Sequence, residues 1–166
     1  VIPENVVTIS PAAFYDSALE TVYGYGGSAA EKFAENNGFG FVEIEDVFED
    51  EYFVTVMGAA AGSALSVKLL AQSENEVTYK LTLTKDGEEI ALDTYATVFL
   101  PVPESMEGKT CRVYMTEKDG SVTHINAVQD CDMEFTTDSL GEFIVTTGEI
   151  SDASGDLNND GVCDVF

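Results

Sequence analysis

Basic side chains are scarce in this chain: 7 Lys and Arg stand against 31 Asp and Glu over 166 residues, a formal charge of −24. A field of that sign repels phosphate backbones and anionic lipid headgroups, which argues against nucleic-acid or membrane-surface partners. Long apolar runs are lacking too, and a helix needs about 20 consecutive apolar residues to cross a bilayer. Tryptophan does not occur, and His124 is the single histidine. Cys111, Cys131 and Cys163 show no C-x-x-C spacing, so little is available to build a transition-metal site. Three cysteines are also too few for a disulfide scaffold. Val1 opens no leader pattern, and the chain is expected to be a mature or trimmed form.

What is present suits a folded domain, or one domain with an appendage. Apolar residues make up 45% of the chain, ordinary globular usage despite the charge. Ser10-Pro11 has the form of an N-cap followed by proline at the first helical position. Phe14, Ala18, Leu19 and Val22 then recur at helical spacing until Gly24. A second start follows at Ser28-Ala29-Ala30-Glu31, a capping box, with Phe33 and Ala34 facing inward and Asn36-Asn37-Gly38 as the stop. Residues 1–38 are therefore expected to form one or two short helices packed on the rest.

From Phe39 the apolar period switches to two. Val77, Tyr79, Leu81 and Leu83 alternate with Thr78, Lys80, Thr82 and Thr84, the pattern of a half-buried antiparallel strand. Lys85-Asp86-Gly87 predicts a hairpin turn, with Thr94, Ala96, Val98, Leu100 and Val102 on the returning strand until Pro101 and Pro103 end it. A second hairpin is expected from Arg112-Val113-Tyr114-Met115, through Glu117–Gly120, to Val122–Ala127. Asp132–Thr136, Glu142–Thr147, Val42–Glu45, Tyr52–Met57 and Leu65–Leu70 complete at least eight short strands. The expected fold class is mainly β: an antiparallel β-sandwich, immunoglobulin-like in the broad sense, over residues 39–150.

Chemistry-bearing candidates are few. His124 is expected to face solvent from a strand, and no nucleophile signature such as G-x-S-x-G accompanies it. Glu43, Glu45, Asp46, Glu49, Asp50 and Glu51 form an acidic run that suits a solvated turn, a carboxylate pair of the kind glycosidases use, or a second calcium site, the turn being favoured. Tyr15, Tyr23, Tyr25, Phe39 and Phe41 either stack sugar rings or pack into the core, with core packing favoured. Cys111 and Cys131 would lie at one end of a meander, as a disulfide or as two reduced thiols, leaving Cys163 unpaired. No catalytic residue is assigned.

The sharpest motif comes last, after a small polar linker at 151–155. Asp156-Leu157-Asn158-Asn159-Asp160-Gly161-Val162-Cys163-Asp164 places oxygen donors at alternating positions around a glycine. An EF-hand-type loop takes ligands from positions one, three, five, a carbonyl at seven, and nine. These positions are Asp156, Asn158, Asp160, the Val162 carbonyl and Asp164, and they make calcium the expected cofactor. Gly155–Gly161 resembles the opening of a dockerin, the calcium-binding module that plugs cellulosomal proteins into cohesins. The resemblance implies a cohesin of a scaffoldin as partner, with Val165-Phe166 at positions that often read it. A dockerin has two such loops, each followed by a helix, so the part at 156–166 is expected to bind calcium weakly or not at all by itself.

A looser likeness spans about Tyr52 to Glu149 and is carried by Val98–Pro103, Gly108-Lys109, Val113-Tyr114, Asp119-Gly120, Ile125–Ala127 and Phe135–Gly141. It is similar to non-catalytic β-sandwich modules of large secreted and surface proteins of Gram-positive gut and rumen bacteria. Both resemblances imply a secreted, cell-surface-associated, non-enzymatic module for cellulosome assembly or for spacing beside a dockerin. The alternatives are a carbohydrate-binding or adhesive module, with polysaccharide as partner, and less readily a fragment of a glycan-active enzyme.

Overall fold

The computed structural model describes residues 1–14 and 17–150, and in it two β-sheets face each other across one core. The strands are β1 Thr21–Gly24, β2 Gly40–Glu49, β3 Val54–Ala60, β4 Ala64–Gln72, β5 Glu76–Lys85 and β6 Glu88–Ile90. They continue as β7 Ala96–Pro101, β8 Arg112–Thr116, β9 Val122–Ile125, β10 Val128–Gln129, β11 Asp132–Thr137 and β12 Glu142–Thr146. The first sheet runs β1-β2-β3-β7-β11-β10; the second runs β4-β5-β12-β8-β9, with β6 paired to the far end of β5. All pairings are antiparallel except β1 with β2. The mainly β sandwich expected from the two-residue period is the architecture.

Each sheet contributes one face to the core because its strands alternate. Val77, Tyr79, Leu81 and Leu83 of β5 are buried, as are Val54 and Val56 of β3 and Ala96, Val98 and Leu100 of β7. Phe143 of β12, fully buried, lies against Phe135 of β11 with ring centroids 5.1 Å apart, joining the two sheets at the centre. Burying a phenylalanine side chain stabilises by about 1.5–3 kcal/mol.

The first expected helix does not form. A 3-10 turn at Pro11–Phe14 replaces it, closed by Ser17, whose backbone N–H and hydroxyl both donate to the Phe14 carbonyl. Val22, expected on that helix, lies on β1, which runs parallel to β2 with Thr21 opposite Gly40. Thr21, Val22 and Tyr23 are β-branched or aromatic, poor helix formers, and the exposed edge of β2 satisfies their backbone groups. The second expected helix, α1 (Ala29–Asn37), does form. Ser28 caps it by accepting from the Ala30 N–H, and Gly38 ends it at φ 75°. Glu31 reaches back as a capping-box acid should, but accepts from Gly27 (2.6 Å) instead of the cap residue. Val22, Ala30, Phe33 and Ala34 form a second, smaller core under α1.

The expected hairpin after β5 is also shorter than its alternation implied. Asp86 and Gly87, at φ 54° and 85°, make the tight turn, and β6 pairs for three residues. The chain then crosses to the other sheet, so β7 pairs with β3 and β11, not with β5. Ala96, Val98 and Leu100 point inward from either sheet, and alternation alone cannot choose between them. Arg112–Thr116 and Val122–Ile125 do pair as expected, with Ala127 outside the returning strand. Pro101 ends β7.

Candidate functional site

Asp156, Asn158, Asp160, Val162 and Asp164, the expected calcium ligands, lie outside the described residues, as do Cys163 and the linker. Two contacts tie the segment before them to β8. The Ile150 N–H donates to the Tyr114 hydroxyl (3.2 Å), and Arg112 pairs with Glu149 (3.0 Å). His124 is exposed on β9, as expected, with its ring 5.3 Å from Tyr114 and edge-on to it.

The acidic run is not a turn, as favoured above, but mostly strand. Glu43, Glu45, Asp46 and Glu49 belong to β2, and only Asp50 and Glu51 lie in the turn after it. Three of the strand acids serve local structure. Glu45 accepts from the Gly62 N–H (2.9 Å), and Glu49 accepts from the N–H groups of Glu51 and Tyr52. Asp46 accepts from the Tyr25 hydroxyl at 2.6 Å. Partial burial, together with that bond and the Asp46 charge, pushes the Tyr25 hydroxyl well above its ordinary value of 10.0. Among the described residues no three His, Cys, Asp or Glu side chains converge into a group that could hold a metal ion.

The N-terminal aromatics divide. Phe39 and Phe41 pack against the small core, Phe39 stacking on Phe33 at 5.6 Å. Tyr25 turns to the flank of the first sheet, and Tyr15 lies outside the described residues. Cys111 and Cys131 are free thiols, the first buried and the second exposed. They do not belong to one meander, since β8 and β11 lie in different sheets. Gln129 nevertheless ties the two segments, accepting from the Cys111 N–H (2.8 Å) and donating to the Lys109 carbonyl (2.8 Å). Burial raises the Cys111 thiol above its ordinary range, against a smaller lowering by Lys109.

The outward face of the first sheet carries several large apolar side chains in solvent, as does β4 of the second at Leu69 and Leu70. Register places Phe48, Thr55, Phe99, Glu134 and Val128 opposite one another in one line across β2, β3, β7, β11 and β10. Phe48 is 53% exposed, Val128 67%, and Phe53, whose ring lies 6.3 Å from that of Phe48, 68%. The next line toward the Tyr25 flank holds Asp46, Met57, Thr97 and Thr136. Beside Met57 the surface dips into an open groove of about 330 Å³ that Tyr25 and the exposed Tyr95 help to line. Exposed apolar patches of this kind commonly mark binding surfaces. Of these side chains only Asp46 and Tyr25 were singled out from the sequence; for the others the available signal was the alternation that sends Val98 and Leu100 inward and Phe99 outward.

Comparison with known proteins returned nothing: no family model, curated protein or solved structure matches this chain.

Proposed function

We propose that this chain is a non-catalytic module of a secreted, dockerin-bearing bacterial protein, serving cellulosome assembly or spacing beside the dockerin. One observation carries the reading: the D-x-N-x-D-G-x-x-D string from Asp156 to Asp164, a short linker beyond the last strand of a β-sandwich. The Tyr114 and Arg112 contacts to Ile150 and Glu149 tie the chain to β8 next to the linker, which suits a spacer. Calcium would be held by Asp156, Asn158, Asp160, the Val162 carbonyl and Asp164. The natural protein carrying this sequence, passed over immobilised cohesins, is expected to be retained in calcium and released by chelator, and Asp156→Ala with Asp160→Ala should weaken retention. Passage through every cohesin column in calcium would defeat the reading.

A second reading, a glycan-binding or adhesive module, is favoured by a separate observation, the exposed Phe48, Phe53 and Tyr95 side chains.

A further inference from the structure

We propose that the outward face of the first sheet binds an uncharged, extended, β-linked glycan laid across the strands, with sugar rings seated on Phe48, Phe99 and Val128. The inference rests on the glycan-binding reading and supplies its ligand class, binding residues and direction. It is independent of any cohesin interaction.

The spacing carries it. Phe48, Phe99 and Val128 sit on β2, β7 and β10, alternate strands of this part of the sheet, in a single line of register. Neighbouring strands are about 4.8 Å apart, so apolar positions recur every ~9.6 Å over a span of ~19 Å. That step is the length of two linked pyranose rings in an extended chain. Between the apolar positions, on β3 and β11, stand Thr55 and Glu134, a hydroxyl and a carboxylate. A sugar ring offers an apolar C–H face to the first kind of position and a rim of hydroxyls to the second. The alternation along the line matches the alternation a linear glycan presents to a surface. Diequatorial β-1,4 linkages keep such a chain extended, whereas the α-1,4-linked glucose of glycogen coils and would meet one position only.

Charge selects among occupants. The two lines of register across this face hold Asp46 and Glu134 and no basic residue. An anionic polysaccharide is repelled, and a second copy of the chain would bring another −24 against the first. A neutral glycan meets neither cost, and its hydroxyls donate to the two carboxylates. A basic protein surface would satisfy the carboxylates as well, but its binding would collapse in high salt, whereas stacking on apolar groups would not.

The test is affinity electrophoresis of the natural protein through gels containing linear β-glucan, xylan or mannan, with glycogen as the coiled α-linked control, followed by titration with a β-linked hexasaccharide and disaccharide. Retardation by a β-linked polymer, undiminished in high salt, is expected, with the hexasaccharide binding at least ten-fold tighter than the disaccharide. Phe48→Ala should cost roughly ten-fold in affinity, and Val128→Ser a smaller factor. Both residues are exposed, so neither change threatens folding; Phe99→Ala, at a half-buried site, would be checked by circular dichroism. Retardation that survives Phe48→Ala and Phe99→Ala unchanged, or by glycogen alone, overturns the inference and leaves the glycan-binding reading standing. Retardation by no glycan defeats both, and binding to a protein that disappears in high salt replaces this occupant with a basic partner.

Discussion

Tyr25 and the two described thiols show how single residues respond to their setting. Because folding raises the Tyr25 pKa, its contribution to stability is fully present below the ordinary value of 10.0 and declines as pH rises beyond it, where the unfolded chain ionises first. Tyr25→Phe leaves Asp46 exposed to water, so the loss at neutral pH is small, about 1 kcal/mol. Urea denaturation at pH 7 and at alkaline pH should show the wild type losing its advantage over Tyr25→Phe between the two; an unchanged gap would discount the Asp46 bond. The thiols should separate by rate. Cys131 is exposed, while Cys111 is buried with its thiol held protonated, and the thiolate is the reactive form. In the native reduced protein a disulfide reagent should therefore label Cys131 well before Cys111, and denaturant should bring the two rates together.

At the scale of elements, two glycines set how the pieces meet. Gly24 ends β1 where a Cβ would come within 2.5 Å of the Ala30 Cβ on α1, so no side chain fits without moving the helix. Gly58 is the residue skipped by the pairing of β2 with β3, where Glu45 faces Ala59 and Asp46 faces Met57, and its φ is 93°. A bulge of this kind turns the following residues onto the opposite face. Gly58→Ala should cost upwards of about 1 kcal/mol from the backbone conformation alone. Gly24→Ala should instead loosen α1, visible as faster amide exchange in α1 and β1 while the sandwich strands keep their protection. If exchange rose uniformly, the small core under α1 would not be a separate unit. Ser28→Ala removes the N-cap and should cost about 1 kcal/mol by thermal melting.

For the whole molecule the opposing terms are the inter-sheet core and self-repulsion. Phe143→Ala empties the centre, and with Phe135 left facing the hole the expected loss is about 3–5 kcal/mol, a large part of the ~5–15 kcal/mol that holds a domain. A fall below about 1 kcal/mol would mean that the sheets close up freely around the missing ring. Repulsion works in the other direction. The described residues hold two ion pairs, Lys80–Glu142 and Arg112–Glu149, little relief for a formal charge of −24. Salt screens charges beyond about 10 Å at 0.1 M, so the melting temperature should climb as ionic strength rises from very low values toward that range. A melting temperature indifferent to salt would show the carboxylates to be spread too thinly to matter.

Periodicity was enough for the mainly β class, the inward faces of β5 and β7, the Asp86-Gly87 turn and helix α1 with its Ser28 cap. Those features depend on residues close in sequence, through the two-residue pleat, the handedness of a turn or the orphan N–H groups of one helix end. What lies far apart needed tertiary structure. Leu19 and Val22 fit a helical stripe, yet β2 offered β1 a free edge, and pairing outweighed a local preference worth a few tenths of a kcal/mol per residue. Ala96, Val98 and Leu100 are equally inward in either sheet, so only packing could send β7 across to β3 and β11. The Phe48–Phe99–Val128 line was invisible for the same reason. Each member is an ordinary apolar residue in its own strand, and their common register exists only after five strands from three stretches of chain have paired.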